Sequence, residues 1–128
     1  MAVRVSSAWK TNTNARSRPA RNVGTEINPE VMTRVARSDR RPFTGKTITD
    51  PEKVHEKVRE ARRLGYALAV EEVLVGEIAL AVAILGANGR PLGAIHIAGS
   101  LSEWTPSAFA TRFAPLATEA AHGINRVR

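Results

Sequence analysis

The stretch that decides the fold is EIALAVAILGANGRPLGAIHIAG, residues 77–99. Two apolar runs flank Gly86-Ala-Asn-Gly89, where Asn-Gly supplies residues that tolerate the positive φ angles of a tight turn. The pattern therefore predicts a β-hairpin whose loop has two residues, Asn88 and Gly89, or four, Gly86 to Gly89. Both lengths give the strands the same two faces, whereas a three-residue loop would break that pairing.

The two predicted faces of this hairpin carry side chains of very different size. The isoleucine face, as we call it, carries Ile78, Leu80, Val82, Ile84, Ile95 and Ile97. The alanine face carries Glu77, Ala79, Ala81, Ala83, Ala94, His96 and Ala98. Because protein interiors are close-packed, the alanine face must meet something. Either a helix packs closely there, with His96 hydrogen-bonded in the core, or the face is the floor of a small-molecule cavity with Glu77 and His96 as its polar groups.

The composition indicates one small domain. A chain of 128 residues with 43% hydrophobic content can build one core. The absence of cysteine excludes disulfides and thiolate metal sites and is compatible with a reducing compartment, so we expect a cytoplasmic protein. The longest apolar run, residues 78–85, is too short to cross a bilayer as a helix, so no membrane partner is expected.

The net charge of +7 is concentrated in the amino-terminal third. Residues 1–46 contain ten Lys or Arg and three acids, whereas residues 47–128 contain nine of each. The first 25 residues have no acid and no helical or strand periodicity, which predicts a basic, disordered segment over residues 1–26 and a folded domain over 27–128. Scattered arginines without interleaved aromatic residues indicate at most non-specific nucleic-acid binding through residues 1–46.

Capping residues and apolar spacing predict the remaining elements. A short helix is expected over 29–37, and a second begins after a cap at Thr49 or Asp50 and ends at Gly65. The charged run of the second helix is interpreted as a solvated face. A strand over 66–70 follows.

The last helix is expected to begin at Thr105-Pro106. Helical spacing predicts that its buried stripe consists of Phe109, Phe113, Leu116, Ala120 and Ile124.

The chain contains no catalytic or cofactor-binding motif. There is no glycine-rich phosphate loop, no nucleophile elbow and no metal-ligand spacing, and the three histidines are isolated in sequence. The adjacent carboxylates Glu71 and Glu72 point to opposite sides of an extended chain, so they cannot easily share a proton. We therefore expect neither an enzyme, nor a cofactor, nor a bound metal.

The order of features along the chain is distinctive. It comprises Thr47-Ile-Thr-Asp50, a charged helix ending in Arg62-Arg63-Leu-Gly-Tyr-Ala67, Glu72 with Gly76 four residues later, two apolar strands, Ala98-Gly99 and a terminal amphipathic helix. From about Ile27 to Arg126 this order resembles the effector-binding domain of IclR-type bacterial transcription regulators. The resemblance implies an α+β fold with a GAF-like, partial antiparallel sheet and flanking helices.

The resemblance also implies a function. Family members join a winged helix-turn-helix to a domain that binds small carboxylic or aromatic acids and mediates oligomerisation. By resemblance, the ligand-contacting positions fall on Ala69, Glu77, Ala79, His96 and Ala98. Residues 1–26 do not resemble a winged helix, so the chain looks like a truncated, carboxy-terminal part of such a regulator.

The leading hypothesis is accordingly a module that senses a small organic acid, forms homo-oligomers and lacks a recognisable DNA-binding domain. One alternative is an interaction protein that forms mixed oligomers with a full-length homologue, because missing elements leave sheet edges open. A second alternative is a small enzyme that uses Glu77 and His96 as an acid–base pair.

Overall fold

A computed structural model describes residues 2–6 and 29–126 of the chain. Its elements are β1 (Ala2–Ser6), α1 (Pro29–Arg37), α2 (Pro51–Leu64), β2 (Ala67–Val70), β3 (Glu77–Leu85), β4 (Pro91–Ser100) and α3 (Pro106–Arg126). The predicted α+β class is confirmed, and the three expected helices form where capping and periodicity place them.

The strands form one antiparallel sheet in the order β1-β4-β3-β2. The prediction of disorder over residues 1–26 is wrong for Ala2–Ser6, which pair with β4 from Ala98 to Ala94. The signal is in the sequence, because Val3 and Val5 alternate with Arg4 and Ser6 at the period of a strand, and the prediction of disorder overlooked it. Residues 7–26 of the predicted disordered segment lie outside the described residues.

The hairpin between β3 and β4 has the predicted faces but a different loop. Five residues, 86–90, connect the strands, and the amide of Gly86 donates to the carbonyl oxygen of Arg90 at 2.8 Å. The register shifts between Ile84 and Leu85, whose partners are Gly93 and Pro91. This one-residue irregularity compensates for the odd number of residues in the loop, which would otherwise change the side-chain pairing. From Ile84 to Glu77 the pairing is therefore the one a two-residue loop produces.

The isoleucine face forms the core. All six of its predicted side chains are at most 5% exposed. Helix α3 packs on this face, mainly against β3, and its buried residues are Phe109, Phe113, Ala114, Ala117 and Ala121. Leu68 and Val70 of β2 extend the face and pack partly buried against the same cluster.

The predicted buried stripe of α3 is correct at Phe109 and Phe113 and wrong at its other three positions. Leu116 is 47% exposed, Ile124 is 39% exposed, and Ala120 is also exposed. The helix has instead turned its small residues, among them Ala117 and Ala121, toward the sheet. Small side chains let the helix backbone approach the large side chains of the isoleucine face closely. The bulkier Leu116 and Ile124 lie outside this contact.

An aromatic cluster holds the start of α3 on the sheet. The ring of Phe109 lies 4.8 Å from that of Phe113 and 5.9 Å from that of Trp104 between centroids. Gly99 of β4 lies beneath Phe109, and a Cβ atom added there would be 2.6 Å from its Cε2 atom. The glycine thus permits a contact that any other residue would block.

Helix α2 is capped at both ends as expected. The Asp50 side chain accepts a hydrogen bond from the amide of Glu52 at 2.8 Å, and Pro51 occupies the first turn. Gly65 ends the helix with a φ of 82° and donates its amide to the carbonyl oxygen of Ala61. No residue of α2 is buried. The helix therefore lies beside the sheet without closing over it.

A short segment before α2 is fastened to the loop between β2 and β3. The hydroxyls of Thr44 and Thr47 donate to the carbonyl oxygens of Glu71 and Glu72. The Lys46 ammonium pairs with the Glu71 carboxylate, which also accepts the amide of Gly76 at 2.9 Å. Glu71 has a φ of 55°, an unfavourable angle for a non-glycine residue, and these contacts hold it there.

These contacts make the fold sensitive to acid at Glu71. The hydrogen bond from Lys46, followed by that from Gly76, lowers the pKa of Glu71 below its ordinary value of 4.5. A carboxylate with a lowered folded-state pKa adds stability that is present above the ordinary pKa and lost as the pH falls through the folded value. We expect Glu71→Gln to make the free energy of unfolding less dependent on pH below about 5. Urea unfolding at a series of pH values measures this.

The matched control is Glu56→Gln, because Glu56 is an exposed glutamate on α2 without an ion pair among the described residues. Its unfolding should follow the parent's pH dependence. An unchanged pH dependence in Glu71→Gln would show that the Lys46–Glu71 pair does not stabilise the fold.

Candidate functional site

A cleft of about 370 Å³ lies between α2 and the alanine face of the sheet. The strand register extends the alanine face to β2, since Ala67 and Ala69 pair with Ala81 and Ala79. These four alanines line the cleft, and each leaves space that a larger residue would occupy. The volume lies within the range of small-molecule pockets.

The cleft exists because α2 covers only one margin of the alanine face. The helix contacts β2, the edge strand, and its cleft-facing residues Ala61 and Leu64 are not buried. Ala83, further along β3, is exposed. In the part of the chain that the structure describes, no helix packs closely over the whole alanine face. The described residues therefore favour the cavity interpretation of this face over close packing, and the site stays a prediction.

His96 is the polar group on the floor of this cleft. It is half-buried on β4 opposite Ala81, and both residues line the cleft. No hydrogen bond to its ring is formed by the described residues. An imidazole can donate and accept, so its nitrogens are available to a ligand. A second histidine, His55 on α2, has its Nε2 atom buried without a hydrogen-bond partner among the described residues, but it does not line the cleft.

The structure brings together three of the five residues that the resemblance indicated. Ala69, Ala79 and His96 line the cleft. Ala98 is on the same face, opposite Ala79, but lies beyond the cleft lining. Glu77 pairs with Ser100 at the end of β3 and is also outside it.

Sequence reasoning missed the charged residues of the cleft. Lys57 and Glu60 of α2 line it, and so does Glu72, which follows β2. The Lys57 ammonium lies 3.7 Å from the Glu60 carboxylate and 3.5 Å from the carbonyl oxygen of Leu68. Helical spacing contained the signal, because Lys57 stands four residues before Ala61 and Glu60 stands four residues before Leu64, and both of these apolar residues line the cleft.

The cleft can therefore bind a small, partly apolar molecule with one anionic group. Its floor is apolar, and its cationic groups are the Lys57 ammonium and, when protonated, the His96 imidazole. Glu60 and Glu72 repel a second negative charge at its rim. Within residues 2–6 and 29–126, no cluster of three His, Cys, Asp or Glu side chains is arranged to hold a metal ion. None of the helices in those ranges combines the length and apolar character that a membrane crossing needs.

Comparisons with known proteins agree with this architecture. The chain is similar to the Pca regulon regulatory protein of Pseudomonas putida, with 27% identity over 90 residues, which are 70% of this chain and 31% of that protein. It thus spans about a third of the length of this curated relative.

Solved structures show the same fold. The structure of Thermotoga maritima IclR has a TM-score of 0.70 at 26% identity. The match covers 77% of this chain and 40% of the IclR chain. A second similar structure is the inducer-binding domain of the PobR transcription factor from Acinetobacter, solved as a double mutant in complex with 3-hydroxybenzoic acid. It has a TM-score of 0.72 at 25% identity, and the match covers 80% of this chain and 59% of the PobR chain.

The family comparison covers most of the chain. Residues 26–126 match the family described as bacterial transcriptional regulator IclR, C-terminal. This range contains α1, α2, α3 and the strands that form the cleft. The chain belongs to the IclR family of bacterial transcriptional regulators through their C-terminal, effector-binding domain.

Proposed function

We propose that this domain senses a small organic acid that binds in the cleft between α2 and the alanine face. The observation that carries the proposal is the His96 ring, which lies without a hydrogen-bond partner from the described residues on an otherwise apolar floor. The ligand's carboxylate accepts a hydrogen bond from the imidazole and lies within the field of Lys57. Its apolar part rests on Ala79 and Ala81.

The charges of the cleft restrict the acid. Glu60 and Glu72 line the same space, so a ligand with a second carboxylate meets repulsion that a monocarboxylic acid avoids. A related inducer-binding domain is described in complex with 3-hydroxybenzoic acid, which has one carboxyl group. This supports a monocarboxylic acid of modest size.

The proposal is tested by calorimetric titration of the whole chain with mono- and dicarboxylic acids of two to eight carbons. We expect His96→Ala to weaken the best-binding acid about 10- to 150-fold, the loss of a charge-assisted hydrogen bond of about 1.5 to 3 kcal/mol. His122→Ala is the matched control, because His122 is an exposed histidine on α3 outside the cleft. Equal affinities of parent and His96→Ala would reject His96 as the contact.

The proposal includes self-association of the chain. Large apolar side chains remain exposed on the described surface, including Phe43 at 75%, Val75 at 75% and Leu116 at 47%. Such exposure is typical of surfaces that bind another protein. Two expectations from the sequence are also retained, a cytoplasmic location and at most non-specific nucleic-acid affinity through residues 1–46.

A further inference from the structure

The alanine face of the sheet continues from β4 into β1. The register pairs three residues of β1 with alanine-face residues of β4, namely Ala2 with Ala98, Arg4 with His96 and Ser6 with Ala94. Residues that are directly opposite each other in a β-ladder share one face of the sheet. Strand β1 therefore adds two small residues and one arginine to the face that forms the cleft floor.

The sequence of β1 supports this register independently. Val3 and Val5 pair with Ile97 and Ile95, on the isoleucine face. A slip of one residue would exchange the two faces of β1 and place Arg4 on the side of the sheet where α3 packs. Because burial of an unpaired charge is costly, the alternation of β1 selects the alanine face for Arg4.

Arg4 is the end of a row of residues that crosses the sheet through the cleft. From β2 to β1 the row consists of Ala67, Ala81, His96 and Arg4. The first three of these residues line the cleft. Neighbouring strands lie about 4.8 Å apart, so the backbone of Arg4 is one strand beyond His96. Since α2 contacts β2, Arg4 stands at the opposite margin of the cleft from the helix.

The charges of the cleft lining leave a need for a further cation. The lining contains one ammonium group, on Lys57, and two carboxylates, on Glu60 and Glu72. While His96 is neutral, the lining therefore has an excess of one negative charge. The Lys57 ammonium also lies 3.7 Å from the Glu60 carboxylate, which offsets part of its attraction for an anion. A carboxylic acid that enters as its anion meets a cleft that repels it unless another positive charge is near.

We propose that Arg4 completes the acid site, its positive charge attracting the carboxylate of the ligand to the β4 side of the cleft, next to His96. The inference rests on the proposed function and adds a residue to it. With Arg4 included, the cations and carboxylates around the cleft balance while His96 is neutral. Arginine suits this role, because its side chain stays protonated and has several N–H donors for a carboxylate.

The contribution of Arg4 is specific to this chain, since β1 lies outside residues 26–126, which match the family. It also orients the ligand. The carboxylate lies at the end of the row formed by His96 and Arg4, and the apolar part extends toward Ala81 and Ala67. The cleft thus selects an acid whose charge is at one end.

The test is calorimetric titration of the whole chain with the acid that binds the parent most tightly. We expect Arg4→Gln to weaken its binding about tenfold, because one opposite charge close to the carboxylate is lost. Arg4→Lys keeps the charge and should stay within about threefold of the parent. Circular dichroism checks that each variant keeps the parent's secondary structure.

The matched control is a double variant that combines Arg4→Ser with Ser6→Arg. It keeps the composition and the net charge, and it moves the arginine to the position opposite Ala94, which does not line the cleft. We expect it to bind the acid as weakly as Arg4→Gln does.

The outcomes separate this inference from the proposed function. If no acid binds the parent, the proposed function fails and this inference fails with it. If His96→Ala weakens binding and Arg4→Gln does not, only the role of Arg4 is rejected. If the double variant binds as tightly as the parent, the arginine acts through general attraction and its position beside His96 is rejected. If Arg4→Lys binds as weakly as Arg4→Gln, the charge is not what position 4 contributes.

Discussion

Phe109→Ala is expected to lower the free energy of unfolding by about 3 to 5 kcal/mol, because truncating a buried aromatic side chain leaves a large cavity. Phe109 is completely buried and contacts the rings of Trp104 and Phe113. It also lies directly above Gly99, where no side chain can fill the space that its ring leaves. The cavity would separate the start of α3 from the sheet. A domain of this size has about 5 to 15 kcal/mol in total, so this one truncation removes a large part of its stability.

Urea unfolding followed by circular dichroism measures this loss. Phe43→Ala is the matched control, since Phe43 is 75% exposed and its truncation should change stability by about 0.5 kcal/mol or less. If the two variants unfold at the same urea concentration, the aromatic cluster does not anchor α3 and the core assignment is wrong.

The two faces of the sheet were predictable because side-chain alternation has a period of exactly two residues. The loop between β3 and β4 was not, since neither predicted length matches the five residues of 86–90. The two predicted faces are nevertheless correct, because the register shift next to Ile84 compensates for the longer loop. Burial of six large side chains on one face selects the register, and the loop adapts to it.

The orientation of α3 was not predictable from its periodicity. Leu116 and Phe109 share a helical face, so apolar spacing alone assigns both to the core. In the folded chain, Phe109 is completely buried and Leu116 is 47% exposed, so the same helical face is covered at its start and uncovered two turns later. Which turns of the helix are covered depends on the surface that the sheet offers, and a helical pattern contains no information about that surface.

The cleft was partly predictable for a related reason. Alternation places Ala79, His96, Ala98 and Glu77 on one face, but it does not tell how far along that face the covering helix lies. Helix α2 lies against β2, so the cleft includes Ala69 and His96 and ends before Ala98. The charged side chains that α2 contributes were interpreted as a solvated surface, because a charge run looks the same whether water or a ligand faces it.

Because the cleft includes Ala79 and ends before Ala98, Ala79→Leu tests the position of the ligand directly. Ala79 lies on the cleft floor between Ala69 and Ala98 in the register, and leucine adds three carbon atoms to the space that the acid occupies. We expect affinity for the best-binding acid to fall by about 100-fold or more, equivalent to about 2.7 kcal/mol, because the bound ligand and the new side chain cannot both fit.

Ala98→Leu is the matched control for this prediction. It makes the same substitution on the same face, directly across from Ala79 in the adjacent strand, but outside the cleft lining. Calorimetric titration of both variants should show binding retained in Ala98→Leu and lost in Ala79→Leu, with thermal unfolding used to confirm that both are folded. A folded Ala79→Leu variant that binds the acid as tightly as the parent would place the effector elsewhere. If only Ala98→Leu loses binding, the ligand site lies further along the alanine face, toward Glu77. The family resemblance indicated Glu77 as a ligand contact, and the cleft does not reach it.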